Sequence, residues 1–315
     1  MDMKDNLGIV FPGQGSQSVG MLSVLADSHS IVRETFEEAS EELALNLWDL
    51  TQEGSDSELN KTENTQPAML ASGIAVYRVW TQQGGPRPAA MAGHSLGEYT
   101  ALTAAGALSL ADAVKLVAAR GRFMQQAVPA GIGAMAAVLG LEDDQVIAVC
   151  EAAAAGQVAQ AVNFNSPGQV VIAGDLAAIE RAIELATDAG AKRAVMLPVS
   201  VPSHCELMKP AAEQLESVLE ELDIQMPSIE VIHNVDVSVS LTPDDIRQKL
   251  VQQLYQPVRW VETVQAMVSQ GVSSVVEAGP GKVLAGLNRR IDRKINSLSV
   301  ADPAGLEKAL EAINA

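Results

Sequence analysis

The sequence predicts an α/β fold in which a parallel sheet is wrapped by helices and a smaller antiparallel unit is inserted. Three observations carry this expectation. A glycine-flanked serine, Gly93-His94-Ser95-Leu96-Gly97, lies between a short apolar run and an alanine-rich helical stretch, the setting of a strand-to-helix elbow. From the N-terminus to about Val128, short apolar runs alternate with helical patterns, as in strands joined by crossover helices. Between Gly131 and Val199 the order changes to β-α-β-β-α-β.

In chain order, residues 7–11 read as a strand, 29–45 as an amphipathic helix, and 66–82 as a mostly apolar helix that should be buried. The elbow strand (88–92), its helix (96–105) and a helix over 111–128 follow. In the inserted unit, strand 134–139 precedes helix 142–155. Strands 158–164 and 169–173 are joined by the turn Asn165-Ser166-Pro167-Gly168, and helix 176–189 and strand 193–199 complete a ferredoxin-like order. A helix (204–222), a strand (229–234), a helical region (242–270), a strand (274–277) and a C-terminal helix end the chain. The expected organisation is a large α/β-hydrolase-like subdomain of residues 1–129 and 199–315 with a parallel sheet. A ferredoxin-like small subdomain of residues 130–198 is inserted in it.

With 315 residues, 48% hydrophobic and 3% aromatic, the core is large and built from Ala, Val, Leu and Ile. The net charge of -18 argues against nucleic-acid and anionic-membrane binding, and an acidic partner must find a local basic patch. The charged stretch Met1 to Asn6 lacks the apolar run of a signal peptide, and no apolar segment approaches membrane-spanning length. Two cysteines, Cys150 and Cys205, are too few for a disulfide framework. These features predict a cytoplasmic protein with no membrane or nucleic-acid partner.

A serine on an elbow has its hydroxyl clear of the backbone, and the next N–H, of Leu96, lies at a helix N-terminus where an oxyanion is welcome. That suits acyl transfer; a glycine-rich turn with a capping serine is the plainer alternative. The serine needs a base, and the chain has histidines at 29, 94, 204 and 233. His94 adjoins Ser95, so its side chain should point away. His204 is better placed: Ser203 and Glu206 suggest a capping box that sets it in the first turn of a helix, where the positive end keeps the imidazole neutral. A solvated first-turn histidine is the alternative, and Cys205 reads as packing. Arg120 falls in the middle of the apolar stripe Ala113, Leu116, Val117, Met124 and Ala127, so its guanidinium must meet an anion or several acceptors inside the protein. A bidentate substrate carboxylate and an internal ion pair both satisfy that demand. The segment 13–18 has Ser18 where a dinucleotide fingerprint needs Gly, and Val276 and Val283 replace required positions of a P-loop around Gly281-Lys282. No metal-ligand spacing occurs.

Read together, the segments resemble the malonyl-CoA:acyl carrier protein transacylases of fatty-acid synthesis over nearly the whole chain. The motifs are F-P-G-Q-G-S-Q at 11–17, T-Q-P-A at 65–68, G-H-S-L-G-E at 93–98, Arg120-Gly121, N-x-N-S-P-G-Q at 163–169, V-P-S-H at 201–204, Q-L-Y-Q-P-V at 253–258, and residues 277–282. The resemblance implies that Ser95 carries the acyl group, His204 is its base and Arg120 holds the malonate carboxylate. It further implies an oxyanion hole from the N–H groups of Gln14 and Leu96, and a main-chain carbonyl of Gln253 that orients His204. His94, Asn163 and Asn165 are candidates for the substrate lining. No cofactor is implied: malonyl-CoA is a substrate, and phosphopantetheine arrives on the acyl carrier protein. Acyltransferases of polyketide or malonate-decarboxylase pathways, a serine hydrolase and a silent acyl-binding subunit remain as alternatives. Arg289, Arg290, Arg293 and Lys294 are candidate docking residues for the acidic carrier, with helical spacing expected to gather the three arginines; plain solvation of the helix end is the alternative.

Overall fold

The structure, a computed structural model, describes residues 3–199 and 201–314. Met1 and Asp2 of the charged N-terminal stretch lie outside the described residues. The chain opens with β1 (Met3–Phe11), followed by α1 (Ser23–Ser28), α2 (Ile31–Glu41), α3 (Leu47–Glu53), α4 (Asp56–Leu59) and the long α5 (Thr62–Gln82). Then come β2 (Arg87–Gly93), α6 (Leu96–Ala104), α7 (Leu110–Ala127), β3 (Gly133–Leu139), α8 (Asp143–Ala154), β4 (Ala159–Ser166), β5 (Gln169–Asp175), α9 (Leu176–Asp188) and β6 (Arg193–Met196). The last part holds α10 (Lys209–Glu220), β7 (Glu230–Ile232), α11 (Pro243–Gln253), α12 (Trp260–Ser269), β8 (Ser274–Ala278), α13 (Val283–Ile291), β9 (Asn296–Val300) and α14 (Pro303–Asn314).

Five parallel strands form one sheet in the order β7-β2-β1-β8-β9. Along β1 the side chains alternate: Leu7, Ile9 and Phe11 enter the main core on one face, and Val10 packs with Trp260, Val264 and Met267 on the other. Burial on both faces explains why these strands read as short apolar runs rather than alternating ones. Helix α5 is buried along most of its length, as its apolar composition predicts. The second sheet is antiparallel, in the order β4-β5-β3-β6, with α8 and α9 packed on it around Val146, Ile172 and Ile179. Both expected sheets are present.

Helices α1, α3 and α4 are not among the expected elements, the helix of 29–45 ends at Glu41 and the strand of 193–199 at Met196; the differences nearest the site are larger. The helix expected over 204–222 is a 3₁₀ turn, Glu206–Met208, followed by α10, and the capping box of Ser203 and Glu206 does not form. Instead the Glu206 N–H donates to Gln160 Oε1, and Pro210 favours a helix start in the first turn of α10. The region 242–270 is two helices, parted around Pro257. Helix α13 is not the last element, since β9 and α14 follow it. It stops at Ile291, so Arg293 and Lys294 lie in a turn beyond it and do not share a helical face with Arg289 and Arg290.

Candidate active site

The elbow leaves the C-terminal end of the parallel sheet, where Phe11 pairs with Gly93 and the His94 N–H donates to Phe11 O at 3.0 Å. Its flanking glycines are required by close approach. A Cβ on Gly93 would lie 1.8 Å from the carbonyl carbon of Gly97, and one on Gly97 would lie 2.0 Å from Phe11 O. Between them Ser95 is strained, with φ 52° and ψ -110°, a conformation that costs on the order of 1–3 kcal/mol and persists only where the surroundings impose it. The surroundings do so: Asn234 Oδ1 accepts the Ser95 N–H at 2.8 Å, and Asn234 Nδ2 donates to Gly93 O at 2.7 Å.

The Ser95 hydroxyl lies 2.7 Å from His204 Nε2, and His204 Nδ1 lies 2.7 Å from the main-chain oxygen of Gln253. A carbonyl can only accept, so the proton sits on Nδ1 and Nε2 presents a lone pair to the serine. That carbonyl is free for a local reason. Gln253 ends α11, and the residue four positions on, which would donate to it in a continued helix, is Pro257. His204 itself has φ 66°, and its N–H donates to Leu254 O at 2.9 Å, so two consecutive carbonyls at the end of α11 fix both its backbone and its ring. Burial, and then the nearby Arg120 cation, lower the His204 pKa to about 3. The imidazole is neutral, but from these causes and not from the helix N-terminus expected from the sequence.

Arg120 projects from α7 into the same place. Gly121 lets α7 approach α5, since a Cβ there would lie 2.7 Å from Glu63 Cα, and this brings Arg120 against Gln66. The guanidinium is 1% exposed and donates to Gln66 Oε1 at 2.9 Å, Gln253 Oε1 at 3.0 Å and Ser95 Oγ at 3.3 Å. Its Nε has no partner, and among the described residues no carboxylate forms an ion pair with it. Neutral oxygens satisfy part of its hydrogen bonding, and the guanidinium lies over the Tyr99 ring, 5.2 Å from its centroid. A buried cation without an anionic partner retains the capacity to pair with one.

These groups open onto a cavity of about 230 Å³. Gln14, Ser95, Leu96, Arg120 and His204 line one side, Met135, Asn163 and Asn165 of the antiparallel sheet line another, and Val283, Leu284 and Leu287 of α13 close it. Gly13 allows the loop after β1 to press on the elbow: a Cβ there would meet His94 O at 2.4 Å. The N–H groups of Gln14 and Leu96 have no protein acceptor among the described residues. His94 lines the cavity but turns from Ser95. Its Nε2 donates to Asn165 Oδ1 at 2.8 Å, and its ring lies against Trp260. Cys205 donates to Pro202 O, and burial pushes its thiol pKa up to about 12. Arg290 reaches Gln169 Oε1 at the cavity rim at 2.8 Å, while Arg289 bonds Ser297 O. Gln66, Glu98, His233 and Asn234, which the sequence reading gave no role, all join the network around the elbow.

A hydroxyl, a neutral imidazole, unpaired N–H donors and a buried cation at one cavity are the parts that acyl transfer to and from a serine requires. The acyl transferase domain family matches residues 9–309, and the chain belongs to that family. It is 56% identical to a malonyl CoA-acyl carrier protein transacylase of Escherichia coli (strain K12) over 96% of this chain and 98% of that one. Among solved structures it is similar to the malonyl-CoA:acyl carrier protein transacylase of Xanthomonas oryzae, with 55% identity, a TM-score of 0.97 and coverage of 98% of this chain and 99% of that one. It is also similar to a malonyl-transacylase in complex with its type II polyketide acyl-carrier protein, with 51% identity, a TM-score of 0.96 and coverage of 98% and 99%.

Proposed function

We propose that this protein transfers the malonyl group of malonyl-CoA to the phosphopantetheine thiol of an acyl carrier protein, through a malonyl ester on Ser95, in support of fatty-acid synthesis. The observation that carries the reading is Arg120: a buried guanidinium without a carboxylate partner, 3.3 Å from the serine oxygen, placed to take the far carboxylate of a malonyl ester. As Ser95 Oγ attacks the thioester carbon, His204 Nε2 takes the hydroxyl proton, and the N–H groups of Gln14 and Leu96 hold the oxyanion. The carbon–sulfur bond breaks, and CoA leaves with the proton from His204. The carrier thiol then returns a proton to His204, attacks the ester and releases the serine, which gives ping-pong kinetics with no cofactor consumed.

The antiparallel sheet with α8 and α9 acts as a ferredoxin-like subdomain over residues 130–198. The α/β-hydrolase-like remainder, 1–129 and 199–315, supplies the dyad, and the substrate lies between the two. Asn163, Asn165 and His94 line its path. No helix among the described residues is long and apolar enough to cross a membrane. The relative bound to a polyketide carrier favours one second reading, the same half-reactions serving a polyketide acceptor.

Intact-mass analysis tests the central step. One malonyl group should appear on the protein after mixing with malonyl-CoA, and peptide mapping should place it on Ser95. Ser95→Ala should lose the adduct while keeping its circular dichroism spectrum. An adduct on Cys205 sinks the proposal, and rapid release of free malonate without carrier protein assigns a hydrolase instead.

The carrier is expected to dock beside α13, where Arg289 and Arg290 are exposed and Arg290 touches the cavity rim, with Arg293 and Lys294 in the turn beyond. An acidic partner meeting a chain of net charge -18 needs such a patch to be steered productively. Reversing Arg289 and Arg290 to Glu should raise the KM for carrier protein, weaken its salt dependence and leave acylation of Ser95 by malonyl-CoA nearly unchanged. Unaltered carrier kinetics at low salt would move the docking site elsewhere.

A further inference from the structure

Beneath the elbow lies a buried carboxylate that the reaction as described does not use. Glu98, in the first turn of α6, is 0% exposed, and among the described residues no lysine or arginine pairs with it. Both of its oxygens are occupied. Oε1 accepts from His233 Nδ1 at 2.7 Å, and Oε2 accepts from the Asn234 N–H and from Gln253 Nε2, each at 2.9 Å. Two of these donors belong to residues that hold the site. Asn234 accepts the N–H of Ser95. Gln253 gives its main-chain oxygen to His204 and its Oε1 to Arg120, and its Nε2 also donates to Ser95 O at 3.0 Å.

A carboxylate only accepts, so each group facing Glu98 must present a donor. This fixes the Gln253 amide one way round, with Nε2 towards Glu98 and Oε1 towards Arg120. Reversed, the amide would aim its NH₂ at a guanidinium that has no acceptor capacity, and the guanidinium would lose one of its few oxygen partners. We propose that Glu98 is a positioning residue. Through the Gln253 amide and the Asn234 main chain it holds the nucleophile and the carboxylate-binding guanidinium in one geometry. It rests on the reading of malonyl transfer above, and it adds a determinant of malonyl preference that touches neither substrate nor dyad.

Replacement by glutamine separates shape from loss of the side chain. In Glu98→Gln the amide oxygen can accept from Asn234 and Gln253 while its NH₂ donates to His233 Nδ1. The His233 proton then moves to Nε2, which faces the Ser240 hydroxyl at 2.8 Å. In Glu98→Ala no such arrangement exists.

The experiment measures the rate of Ser95 acylation by malonyl-CoA and by acetyl-CoA, using intact mass, on folded full-length variants. Glu98→Ala should lose about tenfold or more in malonyl acylation, and its malonyl-to-acetyl rate ratio should fall at least threefold, roughly the scale of a slightly misplaced catalytic geometry. Glu98→Gln should recover most of both. A purely structural role lowers the melting temperature and leaves the ratio unmoved. If Glu98→Ala does not fold, Gln253→Met decides, since it keeps the main-chain carbonyl and cuts the amide link; the same fall in ratio supports the proposal, and an unchanged ratio overturns it. A folded Glu98→Ala that keeps wild-type rate and ratio overturns this inference alone. Wild-type protein that takes no malonyl group overturns the reading of function, and this inference with it.

Discussion

His204→Ala is expected to slow acylation of Ser95 by malonyl-CoA by a factor on the order of a thousand or more, the scale seen when a nucleophile loses its base. The variant removes the lone pair that meets the Ser95 hydroxyl at 2.7 Å, and no other described side chain takes its place: Arg120 has no acceptor to offer, and His94 is turned to Asn165. The wild-type rate should also stay nearly flat between about pH 5 and 8, without the inflection near 6.5 of an ordinary histidine, because burial and Arg120 hold the folded pKa at about 3. The unfolded chain takes up a proton at this site at about 6.5, so the unfolded state binds more protons between those values. The stability linked to His204 is complete above the unfolded pKa and is lost as the pH falls through that window towards 3. Stopped acylation followed by mass analysis across that range, with circular dichroism on the same samples, measures both effects. Near-normal acylation in His204→Ala would remove the residue from the mechanism.

What the sequence disclosed of this site was what is local or periodic. The elbow is a local signal: an apolar run, two glycines that no Cβ could replace and a helix, all within one stretch of chain. Arg120 was legible because a charge on an apolar stripe breaks a period. The position of His204 was misread for a physical reason. Ser203 and Glu206 carry the letters of a capping box, but the backbone there answers to the carbonyl of Leu254, distant in sequence, which bonds the His204 N–H at 2.9 Å. Gln253 entered only through the resemblance, although a physical signal for its open carbonyl was present in Pro257 four residues later. Gln66 and Glu98 stood only inside motifs of the resemblance and His233 only among four histidines; like Asn234, each is an ordinary polar residue until tertiary packing joins it to the elbow network. Strand β9, Asn296–Val300, escaped notice because a short edge strand with two serines lacks the apolar run of its neighbours.

Arg120→Ala is expected to invert the acyl preference of the enzyme. In malonyl-CoA the group beyond the reacting carbonyl ends in a carboxylate, which on the proposed reading meets the guanidinium; in acetyl-CoA that position is a methyl group. Removing one partner of a desolvated charge pair costs about 3–5 kcal/mol, roughly a hundredfold to a few thousandfold in kcat/KM for malonyl-CoA. The remaining anion would face only the neutral oxygens of Gln66 and Gln253, which until then had bonded the cation and now repel the carboxylate. Acetyl transfer loses only the 3.3 Å contact between the guanidinium and Ser95 Oγ, so its rate should fall by less than about tenfold. Arg120→Lys should lie between, since an ammonium restores the charge without the fork that matches a carboxylate. Removing the cation also relieves one of the causes that lower the His204 pKa, so the base should become easier to protonate and the acid limb of acetyl transfer should move to higher pH. A purely structural arginine predicts the opposite pattern: equal losses for both acyl-CoAs and a lower melting temperature. Both substrates measured on one folded preparation decide between them.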